Sequence, residues 1–198
     1  GMDRRIGPKF LQAGPGFGGS CFKKDVLNLV YLCRTYGLDD CADYWESVIT
    51  MNEAQQRRIV TRTVKALFNT LAGKRIALFG FAFKANTGDT RETPALTVAN
   101  LLAEEHAQIV VTDPKALHNA ERDLAHLPDV TLQPDPYAAA EGADAILIMT
   151  EWDCYRDLDW ARVYAAMRKP ALVFDTRNIL DHAALRALGF KTLAVGRA

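Results

Sequence analysis

The 198-residue sequence has no surplus of either charge: 24 Lys and Arg stand against 24 Asp and Glu. No basic block breaks that balance, so a nucleic-acid partner, which needs a positive face, is not expected. Long apolar runs are missing too. The longest, such as Ala145-Ile146-Leu147-Ile148-Met149, fall far short of the roughly 20 residues of a membrane-spanning helix, so no membrane partner is expected. The four cysteines, Cys21, Cys33, Cys41 and Cys154, have no C-x-x-C spacing and no paired histidines nearby. This argues against a structural zinc or a disulfide framework. His106, His118, His126 and His182 are scattered, and no metal site is expected. The opening residues Gly1-Met2-Asp3-Arg4-Arg5 lead into a Pro and Gly turn, not an apolar signal core, so the expected compartment is the cytoplasm. The G-x-G-x-x-G dinucleotide fingerprint is absent as well. What remains is a globular chain, 49% apolar, able to bury a core.

The densest chemistry lies in Gly14-Pro15-Gly16-Phe17-Gly18-Gly19-Ser20-Cys21-Phe22-Lys23-Lys24-Asp25. Glycine allows positive φ and close approach to a ligand. A cysteine beside cationic side chains, at the start of a helix with free N–H groups, favours the thiolate, which is the nucleophile. The stretch therefore reads as a small-molecule pocket with a nucleophile at its mouth. The competing reading is a glycine turn before a helix whose cysteine is simply buried.

Two patterns follow. From Asp25 the signals are helical: Val26, Leu29, Val30 and Cys33 share one face, and Gly37 closes the segment. A second helix is expected from about Asp43 to Leu71, with a polar, helix-forming middle at residues 52–58. A helix of such length suits a strut or a dimer interface. After Gly73, short apolar runs begin at Arg75, Gln108, Asp144, Ala171 and Lys191, with a weaker one at Val130. Helical patterns alternate with them at residues 115–126, 136–141, 159–168 and 181–188, and another starts at Thr93-Pro94 as N-cap and N1. The expected fold is α/β: a Rossmann-like parallel sheet with helices on both faces, preceded by a helical segment with a long connecting helix. The expected division is residues 1–72 and 73–198. Ligands of such sheets bind outside the carboxyl ends of the strands. Those ends carry Gly80–Lys84, Asp113-Pro114, Thr150-Glu151-Trp152 and Asp175–Asn178. The long first loop, with aromatics where a dinucleotide needs glycine, predicts a ligand held differently. Lys84 and Arg91 are candidates for phosphate, and Phe81 and Phe83 for packing on a base or sugar. Trp45 and Trp152 read as packing residues, and Cys33, Cys41 and Cys154 as inert.

G-F-G-G-S-C-F-K-K-D at 16–25, G-F-A-F-K-A-N-T-G-D-T-R-E at 80–92, T-E-W at 150–152 and F-D-T-R-N at 174–178 together resemble the UDP-glucose 6-dehydrogenase family of nucleotide-sugar dehydrogenases. The motifs keep the family's order, and the resemblance covers essentially the whole chain. It departs at Lys23, where many members carry proline or glutamine. The resemblance implies the end of a central helical dimerisation region (1–72) with the catalytic Cys loop, then a UDP-sugar-binding Rossmann-like domain (73–198). It also implies an NAD domain and a catalytic lysine that these 198 residues do not contain, so the chain alone is expected to bind a UDP-sugar without turning it over.

The implied reaction is the four-electron oxidation of UDP-glucose to UDP-glucuronate with NAD, through a Cys21 thiohemiacetal and thioester, with Asp25 handling a proton or activating water. For the substrate the resemblance implies Phe10, Leu11, Gln12, Ala13, Gly14, Phe17, Gly18, Phe83, Lys84 and Arg177, and Arg5 reaching the partner subunit's site. Lys24 and Arg91 are implied on the coenzyme side. A homodimer or higher homo-oligomer is implied as well. The alternatives are a dehydrogenase for another nucleotide sugar, such as GDP-mannose or UDP-N-acetylmannosamine, and a non-catalytic nucleotide-sugar-binding or dimerisation module.

Overall fold

A computed structural model describes residues 2–8 and 11–197. Helix α1 (Phe22–Thr35) turns Val26, Val30 and Cys33 inward, three of the four residues expected on that face, while Leu29 is exposed. It stops at Gly37, whose φ of +71° lets the Leu38 N–H close back on the Cys33 carbonyl at 2.9 Å. Helix α2 (Asp39–Ala66) starts at Asp39 rather than Asp43, because Asp39 and Asp40 favour the positive end of the helix dipole. It ends at Ala66 rather than Leu71. Phe68 and Asn69 turn the chain with φ of +66° and +62°, and the Asn69 N–H donates to the Val64 carbonyl.

Strands β1 (Arg75–Phe79), β2 (Gln108–Thr112), β3 (Val130–Leu132), β4 (Ala145–Ile148), β5 (Leu172–Asp175) and β6 (Lys191–Ala194) form one sheet. Its order is β3-β2-β1-β4-β5-β6, and every neighbouring pair is parallel. β4 and β5 are buried throughout, and β1 and β2 at all but their first residue. Burial on both faces explains why these runs are continuously apolar instead of alternating.

Helices α3 (Pro94–Glu104), α4 (Leu117–Asp123), α5 (Pro136–Ala140), α6 (Asp153–Arg156), α7 (Trp160–Ala166) and α8 (His182–Leu188) connect the strands. The single-turn α6 was not expected; four residues are too few to show a helical period. α2 packs on α3, and α5, α7 and α8 pack among themselves, so the sheet is covered on both faces. Thr93 caps α3 by accepting from the Ala95 N–H, with Pro94 at N1 as expected.

α2 serves two cores. Its second half sends Ile59, Val60, Ala66 and Leu67 into the sheet's core. Ile59, Val60 and Leu67 contribute about 1.5–3 kcal/mol each, and Ala66 less. Its first half joins α1 in a small separate cluster of Val30, Cys33 and Ala42. The helix is thus anchored in the sheet and carries α1, with the glycine loop before it, toward the ends of the strands. Between β1 and β4 the strand order reverses direction, which in doubly wound sheets opens a crevice at the carboxyl ends.

Candidate functional site

At that reversal lies a cleft of about 640 Å³, within the usual size range of small-molecule sites. Gln12 and Ala13 line one side, Ala85 and Asn86 of the first loop another, and Glu151 and Arg177 project from the ends of β4 and β5. Gly14 backs onto Arg177: a Cβ there would meet Nη1 at 3.3 Å. Arg177 is built in. Its Nε donates to the Met149 carbonyl at 2.8 Å, its Nη2 to the Phe83 carbonyl at 3.0 Å, and Nε lies 3.2 Å from Glu151 Oε2. Burial lowers its pKa, and Glu151 pulls it back up. The Arg177 guanidinium does not turn to Asp175, two positions before it. The Asp175 carboxylate accepts instead from the backbone N–H groups of Arg177 and Leu180.

Beneath the cleft sits Asp113, 2% exposed. Oδ2 accepts from the N–H of Phe81 at 2.7 Å, the N–H of Ala82 at 3.0 Å and Trp152 Nε1 at 3.1 Å. Oδ1 accepts from the N–H groups of Lys115 and Ala116. Five donors on one carboxylate pin the first loop to β2 and to the turn before α6. Thr150 Oγ1 donates to the Ala82 carbonyl, and Thr93 Oγ1 to the Phe81 carbonyl. Phe81, expected as a platform for a base or sugar, is fully buried; its ring belongs to the core, where an aromatic of that size gains most from leaving water. Trp152 packs inside as expected, whereas Trp45 remains 38% exposed.

The cysteine loop stands on different supports. The Phe17 N–H donates to Asn52 Oδ1 at 2.8 Å, and Asn52 Nδ2 donates back to the Phe17 carbonyl at 3.1 Å. Gln55 Nε2 donates to the Gly14 carbonyl. At Gly16, with φ of +122°, a Cβ would meet Asn52 Oδ1 at 2.5 Å, so only glycine fits. The Gly19 N–H donates to the Arg91 carbonyl at 2.9 Å, tying this loop to the first loop of the sheet. Cys21 is the N-cap residue of α1 and is exposed, so it is not the buried thiol of the competing reading. The Asp25 N–H bonds the Cys21 carbonyl at 2.8 Å, one turn on, so the two residues share a helix edge.

The remaining expected residues fall in different places. Lys24 and Asp25 are exposed, Lys23 pairs with Glu92 at 3.0 Å, and Leu11 is exposed. Lys84 is exposed, its Nζ 5.4 Å from the centre of the Phe83 ring. Arg91 grips Asp89 through Nε and Nη2. That contact raises the Arg91 pKa, with a smaller contribution from Cys21, and holds the Asp89 carboxyl below its usual range. Arg5 pairs with Asp3 inside its own turn and lines neither this cleft nor the smaller one of about 260 Å³ behind Phe17. Phe10 lies outside the described residues. Among the described residues no cluster of metal-ligating side chains occurs, and no helix is long and apolar enough to cross a membrane.

Sequence reasoning missed Asp113, Asn52 and Gln55. Asp113 was visible only as a strand-end acid. Asn52 and Gln55 sit three residues apart in a stretch taken for generic helix, and that spacing was the signal of a polar face turned to a loop.

A six-stranded, doubly wound sheet with a cleft at its switch point, joined to a helical arm bearing an exposed N-cap cysteine, defines a ligand-binding α/β domain with a thiol-bearing attachment. Residues 77–182 match the model of the UDP-glucose/GDP-mannose dehydrogenase family, UDP binding domain, and residues 1–54 match that family's central domain. The chain belongs to this family. It is 51% identical over 204 residues to a UDP-glucose 6-dehydrogenase of Caenorhabditis elegans, and 50% identical over 209 residues to one of Drosophila melanogaster. These alignments take in 99% and 100% of the chain but 42% and 44% of those relatives. A solved UDP-glucose dehydrogenase from Pyrobaculum islandicum superposes with a TM-score of 0.80 at 32% identity, over 99% of this chain and 41% of that one.

Proposed function

We propose that the chain is the substrate-side part of an NAD-dependent UDP-glucose 6-dehydrogenase, with UDP-glucose held at the strand-end cleft and oxidised at Cys21. The observation that carries this reading is the pairing of two features in one chain. A cleft walled by a fixed cation, Arg177, and bordered by the loop of Lys84 is tied through Gly19 and Arg91 to a loop presenting an exposed thiol. The whole-length relatives named above support the choice of sugar nucleotide.

In this reading Leu11, Gln12, Ala13 and Gly14 take the uridine side. Lys84 and Arg177 meet the diphosphate, and Phe17, Gly18 and Phe83 border the sugar. Arg5 reaches the site of a second subunit in a homodimer or higher homo-oligomer. The exposed Tyr31, Tyr36, Tyr44 and Met51 of the helical arm support such an assembly. The division at residues 72/73 separates this arm from the sheet, and a cytoplasmic setting suits four free thiols.

NAD, when bound, would supply the acceptor for two hydrides, the first lost in making the C6 aldehyde and the second from the Cys21 adduct. The cradle after β1 does not fit a dinucleotide, because Asp113 already occupies the Phe81 and Ala82 N–H groups that a pyrophosphate would use. Lys24 and Arg91, exposed on the same side as Cys21, fit only as outlying contacts to coenzyme phosphates. At the substrate, Cys21 Sγ adds to the C6 aldehyde carbon; the carbonyl electron pair moves to oxygen, which takes a proton. After the second oxidation the carbon is a thioester. Water adds to it, the C–S bond breaks, and Asp25 accepts the proton of that water.

Titration of UDP and UDP-glucose into this chain, with GDP-mannose and UDP-N-acetylmannosamine as competitors, tests the ligand. Tighter binding of either competitor overturns the UDP-glucose assignment. Binding together with a full-length enzyme that never makes glucuronate favours the non-catalytic module.

A further inference from the structure

Phe83 turns from the wall of the strand-end cleft toward the cysteine loop, the side on which the proposed reading places the sugar. The first loop contributes Ala85 and Asn86 to the cleft wall, and the Phe83 ring is not part of it. The ring lies against the turn before Cys21. A Cβ at Gly19 would meet its Cε2, Cζ and Cδ2 at 3.0, 3.1 and 3.4 Å, and a Cβ at Gly18 would meet the Phe83 Cβ at 3.0 Å. Gly18 is closed on its other sides by the Glu92 carbonyl at 2.5 Å and Pro94 Cδ at 3.0 Å. Glu92 itself holds a φ of +52°, a conformation costly for a residue with a side chain. Such a conformation persists where its surroundings over-determine it. Here the Arg91 carbonyl accepts from Gly19, and the Glu92 side chain pairs with Lys23 across 69 positions of sequence.

Phe83 is fixed as well. Its N–H donates to the Asp89 carbonyl, and its carbonyl accepts from Arg177 Nη2. The ring is therefore a wedge mounted on the loop that forms the cleft, pressed on the two glycines that set the direction of α1.

We propose that Phe83 is a positioning residue for Cys21: its ring, seated on Gly18 and Gly19, holds the turn that places the thiol at the head of α1. The structural logic is local. Cys21 is already exposed, so loosening the turn adds little access. What loosening removes is the fixed place of the sulfur at the head of α1, near the cationic Arg91 side chain.

The four cysteines supply their own controls. Cys33 is buried within α1 and reports unfolding, whereas Cys41 and Cys154 are exposed. The experiment is alkylation of the chain by iodoacetamide at fixed pH, followed peptide by peptide in Phe83→Ala, Phe83→Leu and Phe83→Met. We expect Phe83→Ala to slow Cys21 by about fivefold or more, with Cys41 and Cys154 changed less than about twofold and Cys33 protected. Phe83→Leu or Phe83→Met, which refill the space, restore at least about half of the parental rate. A Cys21 rate in Phe83→Ala equal to or above the parental one, with Cys33 still protected, overturns the proposal. If Cys33 becomes reactive in Phe83→Ala, the Leu and Met variants carry the test through a titration of partial filling. A Cys21 rate falling in step with the volume lost supports the wedge, and a flat response overturns it. Neither readout needs turnover or bound nucleotide, so failure of the dehydrogenase reading and failure of this one are separable.

Discussion

In the proposed reading the strand-end cradle and the cysteine arm face the same ligand, but they are built in opposite ways. In the cradle, Asp113, Thr150 and Thr176 are at most 2% exposed, and every polar group named there is bonded to backbone. Arg177 spans the ends of β1 and β4 in the same manner. On the arm, Cys21, Lys24 and Asp25 are exposed, and the contact steering α1 from the other side is a surface ion pair, Lys23–Glu92. Surface pairs of this kind contribute little. The cradle is therefore preorganised by the chain's own interior, at no reorganisation cost when a ligand arrives. The arm takes its direction from glycines moulded against Asn52, Phe83 and Glu92 and leaves its thiol open to whatever meets it. In the proposed reading, recognition falls to the interior and chemistry to the surface.

The sharpest way to break that assignment is to remove the chemistry alone. In a full-length protein carrying this sequence, Cys21→Ser should cut glucuronate formation by about a thousandfold or more, because a serine hydroxyl is a far weaker nucleophile than a thiolate. UDP binding to the same variant should be unchanged. A parental rate of glucuronate release would remove Cys21 from the reaction. The 198-residue chain by itself should give no NADH from UDP-glucose, since no G-x-G-x-x-G lies within it and Asp113 fills the nest after β1.

The opposite experiment removes the cradle and spares the thiol. Asp113→Asn exchanges a carboxylate accepting from five donors for an amide with one acceptor oxygen. At least two buried N–H groups lose their partner, so unfolding in urea should become easier by about 3 kcal/mol. Variants refolded at low temperature should retain the Cys21 alkylation rate better than their UDP affinity. Loss of both in parallel would mean that the two regions are one unit.

How much of this was legible follows from the same contrast. The sheet was readable because strands buried on both faces are continuous apolar runs, and five of them stand out between helical patterns. The glycine-cysteine loop was readable because glycine and cysteine are rare enough for their clustering to matter. Phe81 was misjudged because an aromatic at a strand end looks the same whether it turns to the core or to a ligand. Asp113 was missed because an aspartate after a strand is common, and only the fold brings Phe81, Ala82 and Trp152 to it. α2 was found with its ends displaced, since Phe68 and Asn69 carry no glycine or proline to announce their left-handed turn.

Within the first loop the comparison sharpens further, because Lys84 and Arg91 are both exposed cations on one segment. Lys84 is the residue before Ala85 of the cleft wall, whereas Arg91 is already held by Asp89 and feels the charge of Cys21. Lys84→Ala should weaken UDP binding by about 1.5–3 kcal/mol, the range for a hydrogen bond to a charged group, and most strongly at low salt. Arg91→Ala should weaken it less. Calorimetry on the two variants decides: equal losses would mean the loop is not divided between two ligands, and no loss in Lys84→Ala would take this strand end out of the UDP site.

The smallest expected effect lies in the Asp89–Arg91 contact that closes the same loop. The hydrogen bonds from Arg91 hold the Asp89 carboxyl below its ordinary value, with Lys84 adding to the effect. A carboxyl whose pKa is lower folded than unfolded stabilises the protein above the unfolded value, and that contribution disappears as pH falls through the folded one. Asp89→Asn should therefore melt slightly below the parent near neutral pH. The gap should close on acidification below about pH 4, where the unfolded carboxyl protonates, and vanish once the folded one does. Added salt should narrow the gap at pH 7, because the Arg91 side chain is 68% exposed. Melting curves of the two proteins at a series of pH values measure this directly. A gap that stays constant into acid would show that Asp89 acts as a neutral hydrogen-bond acceptor for the Arg91 backbone N–H, and that the ion pair plays no part in setting the loop.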